Sequence, residues 1–257
     1  VFNFALPLML FRAIAQTELP ATMPWGYLLS YYLSAFTVYG LAMVAGRLLF
    51  ARRMDEQAAL GPGAGFSNTA MLGIPLVMTA YGPSASLPLF VMIACHSLLM
   101  LPPTTALIEA ARGSRQSAAR TLLNLASSVL GTPIIWGLTS GLAFALTDFD
   151  IPGPIDAVAK GLGGAATPCA LFALGASLTR FSLGSNLREP ALLVALKTVT
   201  QPLLMWLLAT QVFDVPPLWA MTGVLLAALP TGVTPYLFAQ RYKVCQSTVA
   251  SAVFLST

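Results

Sequence analysis

The hydrophobic residues of this chain fall in blocks, not in alternating or striped patterns. Nine blocks run over residues 1–16, 25–50, 58–82, 84–108, 131–149, 157–179, 190–213, 217–240 and 246–257, with short polar segments between them. A helix that crosses a bilayer needs about 20 mainly apolar residues, so these blocks predict spanning helices; the first and last are shorter and abut the chain ends. Two blocks are interrupted. Residues 67–82 read SNTAMLGIPLVMTAYG and residues 228–242 read ALPTGVTPYLFAQRY. Pro, Gly and small hydroxyl residues break each near its middle, and their tyrosines, Tyr81 and Tyr242, stand 161 residues apart. Interrupted hydrophobic segments at matching places in two halves point to the binding site of a secondary transporter. Backbone that leaves the helix at membrane depth has to be satisfied by protein, water or ligand.

The polar segments carry an orientation. If sides alternate, one side receives Arg47, Arg52, Arg53, Arg112, Arg115, Arg120, Arg180, Arg188, Arg241 and Lys243, ten of the thirteen Lys and Arg. The other receives Glu18, Asp148, Asp150, Asp156 and Asp214, with Lys160 and Arg12 nearby. Positive loops stay in the cytoplasm, so the first side is expected to be cytoplasmic, in a cell inner (plasma) membrane. Trp25 and Trp219 then begin spans at the outer boundary, where interfacial anchors belong. Residues 109–130 form the longest cytoplasmic connection, basic and then amphipathic, and predict a surface helix dividing two halves.

Composition agrees with a multi-pass membrane protein. The chain is 57% hydrophobic and 9% charged, against about 25% charge in soluble domains. The net charge of +4 is explained by the cytoplasmic loops and calls for no nucleic acid. Cys95, Cys169 and Cys245 have no metal-ligand spacing, and an odd count gives no complete disulfide framework. No cleavable signal peptide is present, and the chain opens inside an apolar stretch, so its true start is expected before Val1.

The two halves repeat. Residues 7–11 read PLMLF and residues 168–172 read PCALF, again 161 apart; Pro75 and Pro235 differ by 160. Five spans per unit is an odd number, so the second unit is inverted, the arrangement of many carriers. The same offset places one helix before Val1 and the end of a tenth beyond Thr257. On that count the chain begins in the second of ten helices, and the interrupted blocks are the fourth and ninth.

Asn68-Thr69, Gly73-Ile74-Pro75-Leu76 and Tyr81-Gly82 resemble the auxin efflux carrier family, which includes plant PIN auxin exporters and bacterial carriers assigned to malonate and related acids. Ala228-Leu229-Pro230, Gly232, Pro235-Tyr236, Phe238-Ala239 and Tyr242 are similar to the same family and more specific, and Leu171-Phe172-Ala173-Leu174-Gly175 and the pair Pro133 and Gly141 also fit. The family usually has Asn before that proline, where this chain has Thr132. The resemblance covers essentially the whole chain. The long hydrophilic central loop of the plant exporters is absent, which favours a bacterial-type member. The resemblance implies an all-α carrier of ten helices in a 5+5 inverted repeat, with broken helices four and nine crossing. It implies a scaffold helix over 1–24, transport-domain helices over 25–108, the cytoplasmic linker 109–130, scaffold helices over 131–179 and transport-domain helices over 180–257. Substrate would bind between the two domains near the crossing.

The chemistry of the breaks suits an anion. A half-helix that starts inside the membrane presents unpaired N–H groups and the positive end of its dipole, which bind anions. Pro75 and Pro235 suit the first turn of each second half-helix, Thr234 suits an N-cap, and Gly73 and Gly232 permit close approach. Asn68 offers donors and an acceptor; Thr69, Pro230 and Thr231 complete the candidate set. The competing reading is that these residues only kink and pack the helices. Lys197 lies about 10 Å into the eighth helix at 1.5 Å per residue; it either pairs with an anionic substrate or snorkels to the cytoplasmic face. His96, mid-span, either relays a proton or packs as a hydrogen-bonded histidine.

The only acidic residue in the blocks is Asp148, at the outer end of 131–149; no Asp or Glu lies deeper in a span, which argues against a sodium/proton antiporter and leaves coupling open. Intramembrane hydrolysis needs paired aspartates, a Ser–His pair or a metal, and no such motif is present, so no enzyme, cofactor or metal is expected. The function expected is secondary active or potential-driven transport of small organic anions such as malonate. The alternative is a non-transporting membrane sensor on the same fold. The expected partners are the anion and the lipid bilayer, with a homodimer left open.

Overall fold

The computed structural model describes residues 3–17, 23–113, 127, 130–147, 149, 151–179, 183 and 186–257. Most of the surface helix expected over 109–130 lies outside these residues. The described chain is helical, in the order α1 (Ala5–Ala15), α2 (Trp25–Phe50), α3 (Met54–Gly65), α4 (Ile74–Tyr81), α5 (Ser86–Ala111), α6 (Pro133–Ala145), α7 (Gly153–Gly164), α8 (Ala166–Leu178), α9 (Arg188–Val212), α10 (Pro217–Ala228), α11 (Val233–Tyr242) and α12 (Gln246–Ser256). A π turn, Thr69–Gly73, leads directly into α4. Among the described residues four stretches are long and apolar enough to cross a membrane: Trp25–Phe50, Pro83–Ala111, Gly153–Ala176 and Arg188–Val212.

The helices are packed for a lipid surround. On α2, Tyr27, Tyr31, Tyr32 and Tyr39 are buried, while Leu29, Leu33, Leu41, Val44 and Leu48 are exposed. On α9, Lys197 and Gln201 are buried while Val199, Leu203 and Trp206 are exposed. Aliphatic side chains outside and hydroxyl, amide and ammonium groups inside reverse the soluble order and suit hydrocarbon as the outer solvent. Trp25 is 65% exposed, as an anchor requires, but Trp219 is only 9% exposed. It sits edge-on to Tyr27 with ring centroids 5.2 Å apart, so its place is packing and not anchoring.

Two groups of helices pack together. Helix α1 lies against α6 and α7. A Cβ at Gly137 would collide with the Pro7 carbonyl oxygen, so only glycine allows this approach. Arg12 joins the same helices through Asp156 at 2.6 Å. The second group sets α2 against α3 and α9, α3 against α5, and α9 against α10. Helix α8 reaches across to α4 and its π turn.

Two of the three π turns among the described residues run into prolines. The π turns Thr69–Gly73 and Leu196–Thr200 are followed within two residues by Pro75 and Pro202. Proline has no N–H to continue the ladder, and a widened turn takes up the missing bond.

Candidate functional site

The interruptions expected in the fourth and ninth helices lie at Phe66–Asn68, between α3 and the π turn, and at Leu229–Gly232, between α10 and α11. They meet. Ser67 and Thr231 form an antiparallel bridge, flanked by Asn68 N–H to the Pro230 carbonyl at 3.0 Å and Gly232 N–H to the Phe66 carbonyl at 2.9 Å.

The rest of the unwound backbone draws on distant elements. Ser67 N–H donates to His96 Nε2 at 3.0 Å. Thr231 N–H donates to Ser256 Oγ at 3.1 Å, and Thr231 Oγ1 donates to the Gly63 carbonyl at 2.8 Å. Tyr31 donates its hydroxyl to Ser67 Oγ at 2.7 Å. Irregular backbone at membrane depth is tolerated only when satisfied in this way.

Glycine is required at the bridge. A Cβ at Gly232 would stand 3.0 Å from the Phe66 ring and 3.2 Å from the Ser67 carbonyl oxygen. At Gly73 the neighbours are the methyl ends of Leu226 and Leu229, at 3.0 and 3.1 Å, which move more easily.

A cavity of about 200 Å³ opens against the crossing. Its wall includes the first residues of both second half-helices, Thr69-Ala70-Met71 and Val233-Thr234, with Asn68 and Gly232 before them. Thr132 and Ile135 of α6 and Ser97 of α5 close the other sides. It therefore lies between the two packing groups. Thr69 N–H donates to the Ser67 carbonyl at 2.9 Å; the first turns of the two half-helices still place the positive ends of their dipoles at this space. Among the described residues none that lines it is ionisable, so this wall offers oriented dipoles, hydroxyls and an amide.

Of the residues singled out in the sequence, Asn68, Thr69, Gly232 and Thr234 line the cavity. Pro230 and Thr231 build the bridge behind it. Gly73, Pro75 and Pro235 are not in its wall. Pro235 does stand in the first turn of α11. Pro75 stands in the first turn of α4, after the π turn that begins at Thr69. Thr234 is not the N-cap: Gly232, in extended conformation, takes that place, since the bridge fixes the backbone there.

Lys197 is fully buried away from the cavity and donates Nζ to the carbonyl of Ala227. His96 faces the bridge and not the cavity. Sequence reasoning passed over Tyr31, Ser67, Ser97 and Ser256. The available signal was hydroxyl residues in the middle of otherwise aliphatic blocks.

A polar cluster secures the end that carries the basic loops. Arg52 holds Glu189 through two bonds, 2.7 and 3.0 Å, and Glu56 at 3.1 Å. Thr248 adds a bond to Glu189 at 2.8 Å. The hydrogen-bonded Glu189 carboxylate pushes the Arg52 guanidinium above its already high range, so it stays charged. Burial pushes the Cys245 thiol up to about 12, which keeps it protonated and unreactive.

The whole chain, residues 1–257, matches the family described as "Membrane transport protein". It is 28% identical over 257 residues to a protein of Rhizobium meliloti (strain 1021) named "Putative malonate transporter", with 100% of this chain and 80% of the relative covered. With a full-length family match, helices fit for a bilayer and two interrupted helices joined at their breaks, the chain belongs to the auxin efflux carrier family of membrane transport proteins.

Proposed function

We propose that the protein carries small carboxylates such as malonate across the cell's inner membrane, by alternating access around the crossing. The observation that supports this best is an asymmetry at the breaks. Carbonyls at the ends of α3 and α10 are taken by the chain's own donors, Thr231 and Lys197, whereas the starts of the second half-helices form the wall of an open cavity. One carbonyl at each negative end is thus taken by a fixed donor, while the first turns of the second half-helices border the cavity, which favours an anion. A volume of about 200 Å³, below the roughly 300–1,000 Å³ of drug-sized sites, suits a ligand of few atoms. The name of the Rhizobium meliloti relative points the same way.

In this reading the fold completes to ten helices as an inverted repeat. The α1, α6, α7 and α8 group is the scaffold, and the remaining helices move against it with the bound anion. Asn68, Thr69, Thr234 and the half-helix N–H groups hold the carboxylates, and Thr132 meets them from the scaffold side. No covalent chemistry is required, and the ionisable-free wall offers none. Reconstituted full-length protein in liposomes should take up radiolabelled malonate with saturation. Uptake no faster than in empty liposomes, across a panel of mono- and dicarboxylates, would overturn the carrier reading in favour of a sensor.

A further inference from the structure

We propose that the seam between the two packing groups holds a second anion site, an outer port built on Arg12 and Lys160 that takes a carboxylate on its way to or from the crossing. Its role in transport rests on the crossing being the carrier's site. A cavity of about 250 Å³ lies between α1, α7 and the end of α4. Arg12 and Gln16 of α1 and Lys160 of α7 line one side, and Met78 of α4 and Pro83 line another. The wall therefore joins helices proposed as scaffold to a helix proposed to move. Next to it the hydroxyls of Thr17 and Ser86 meet at 2.8 Å, and Ser86 Oγ donates to the Ala13 carbonyl at 3.4 Å. The two groups are thus in contact at this end of the seam.

The basic residues are unevenly placed. Apart from the ten Lys and Arg of the expected cytoplasmic side, the chain has three: Arg12, Lys160 and Lys197. Lys197 is buried within α9. The other two line this same cavity. They stand on the side whose other charges, Glu18, Asp148, Asp150, Asp156 and Asp214, are all acidic. An anion approaching that side is repelled over most of the surface and attracted at the cavity.

Asp156 does not cancel both cations. Its carboxylate accepts from Arg12 Nε at 2.6 Å and Nη2 at 3.3 Å, and from Gln16 Nε2 at 3.5 Å. Lys160, about one turn further along α7, is exposed and forms no ion pair among the described residues. One positive charge is left over, in a wall that also holds the Gln16 amide and the Thr167 hydroxyl. An ammonium and these donors together suit a carboxylate, whose hydrogen bonds to charged donors are the strong ones. The port and the crossing divide the work: a fixed cation attracts at long range, while dipoles act only on contact.

The lysines of the chain are Lys160, Lys197 and Lys243, and Lys243 belongs to the cytoplasmic set. A membrane-impermeant acylating reagent should therefore modify Lys160 in right-side-out vesicles of the full-length protein, as read by mass spectrometry. At constant ionic strength, malonate should slow this modification saturably and malonamide should not. Asn68→Ala, which disables the crossing, should leave the protection unchanged. No modification, no protection, or equal protection by malonamide would each overturn the proposal. Protection lost in Asn68→Ala would place the bound anion at the crossing and overturn it too.

Uptake supplies the second measurement. Lys160→Gln should raise the KM for external malonate about tenfold, the lower end of what a charged cleft contributes, with kcat kept. Lys160→Arg should restore the wild-type KM. An unchanged KM in Lys160→Gln would equally overturn the assignment. If wild type moves no carboxylate, the carrier reading alone fails, because the labelling decides the port without transport.

Discussion

Ser67 donates its backbone N–H to Nε2 of His96 at 3.0 Å, in a part of the bundle where His96 is 1% exposed. The acceptor nitrogen carries no proton, so in the neutral ring the proton is on Nδ1. Binding a second proton at Nε2 would break the bond and strand a peptide N–H of the crossing. His96 is placed to hold the break, with Tyr31 fixing the Ser67 side chain from the other side. His96→Leu should destabilise by about 1–3 kcal/mol, the cost of an unpaired buried group, while His96→Gln keeps an acceptor and should lose less. Melting curves of the detergent-solubilised protein decide this. Equal midpoints for wild type and His96→Leu would remove the role.

The two glycines of the crossing should respond differently to an added methyl group. At Gly232 a Cβ presses on the Phe66 ring and the Ser67 carbonyl oxygen, both held in the bridge. At Gly73 it meets the ends of two leucines. Overpacking a well-filled region costs about 1–3 kcal/mol, and Gly232→Ala should stand at the upper end. Gly73→Ala should cost under about 1 kcal/mol, because leucine rotamers can adjust. Comparable losses in the two variants would show that the bridge is softer than its contacts imply.

Four of the spans and both breaks were legible because the bilayer dictates them. Twenty apolar residues, a basic side and paired Pro/Gly interruptions need no tertiary knowledge to read. What was not legible depends on which distant groups meet. Thr231 finds Ser256, and Lys197 finds Ala227; nothing local in either segment names its partner. Lys197 read as a substrate contact because a buried charge invites one, but the neighbouring half-helix end claims it. The N-cap shifted from Thr234 to Gly232 because a bridge to another segment, not local capping preference, sets where α11 begins. Pro75 does stand in the first turn of α4, but the π turn before it, Thr69–Gly73, was not legible.

Asn68 and Pro235 separate contact from support. Asn68 lines the cavity, whereas Pro235 stands in the first turn of α11 outside its wall. Asn68→Ala should cut malonate uptake at least tenfold, equivalent to about 1.4 kcal/mol, with little change in folding yield. Pro235→Ala restores an N–H at a place that needs none and should reduce uptake by less. Normal uptake by both variants at matched expression would move the site away from the crossing.

The Arg52–Glu189 pair ties the α2–α3 turn to the start of α9, and Thr248 brings α12 into the same cluster. Glu189 has a side chain only 5% exposed, against 31% for Arg52. Breaking a fully buried pair costs about 3–5 kcal/mol; solvent at Arg52 lowers the expected loss for Glu189→Ala to about 2 kcal/mol. Because the pair lies away from the cavity, the affinity for malonate should hold while the unfolding temperature falls. A variant that keeps its stability but loses affinity would instead tie this cluster to the transport site.

Charge selectivity is the sharpest consequence of the crossing. Among the described residues its cavity has no ionisable side chain, which leaves discrimination to helix ends, hydroxyls and the Asn68 amide. Hydrogen bonds to a charged acceptor are about twice as strong as neutral ones, and they strengthen further where bulk water is excluded. Net contributions of about 1.5–3 kcal/mol for a charged acceptor against 0.5–1.5 for a neutral one give a preference of at least tenfold for malonate over malonamide, which has the same skeleton without charge. A diammonium of similar length, 1,3-diaminopropane, would meet positive dipole ends with nothing to offset its charge and should not compete at all. Competition of each compound against labelled malonate in the liposome assay measures both expectations. Malonamide competing as well as malonate would show that shape and neutral hydrogen bonds set the specificity. Competition by the diammonium would mean that the half-helix starts do not govern the site.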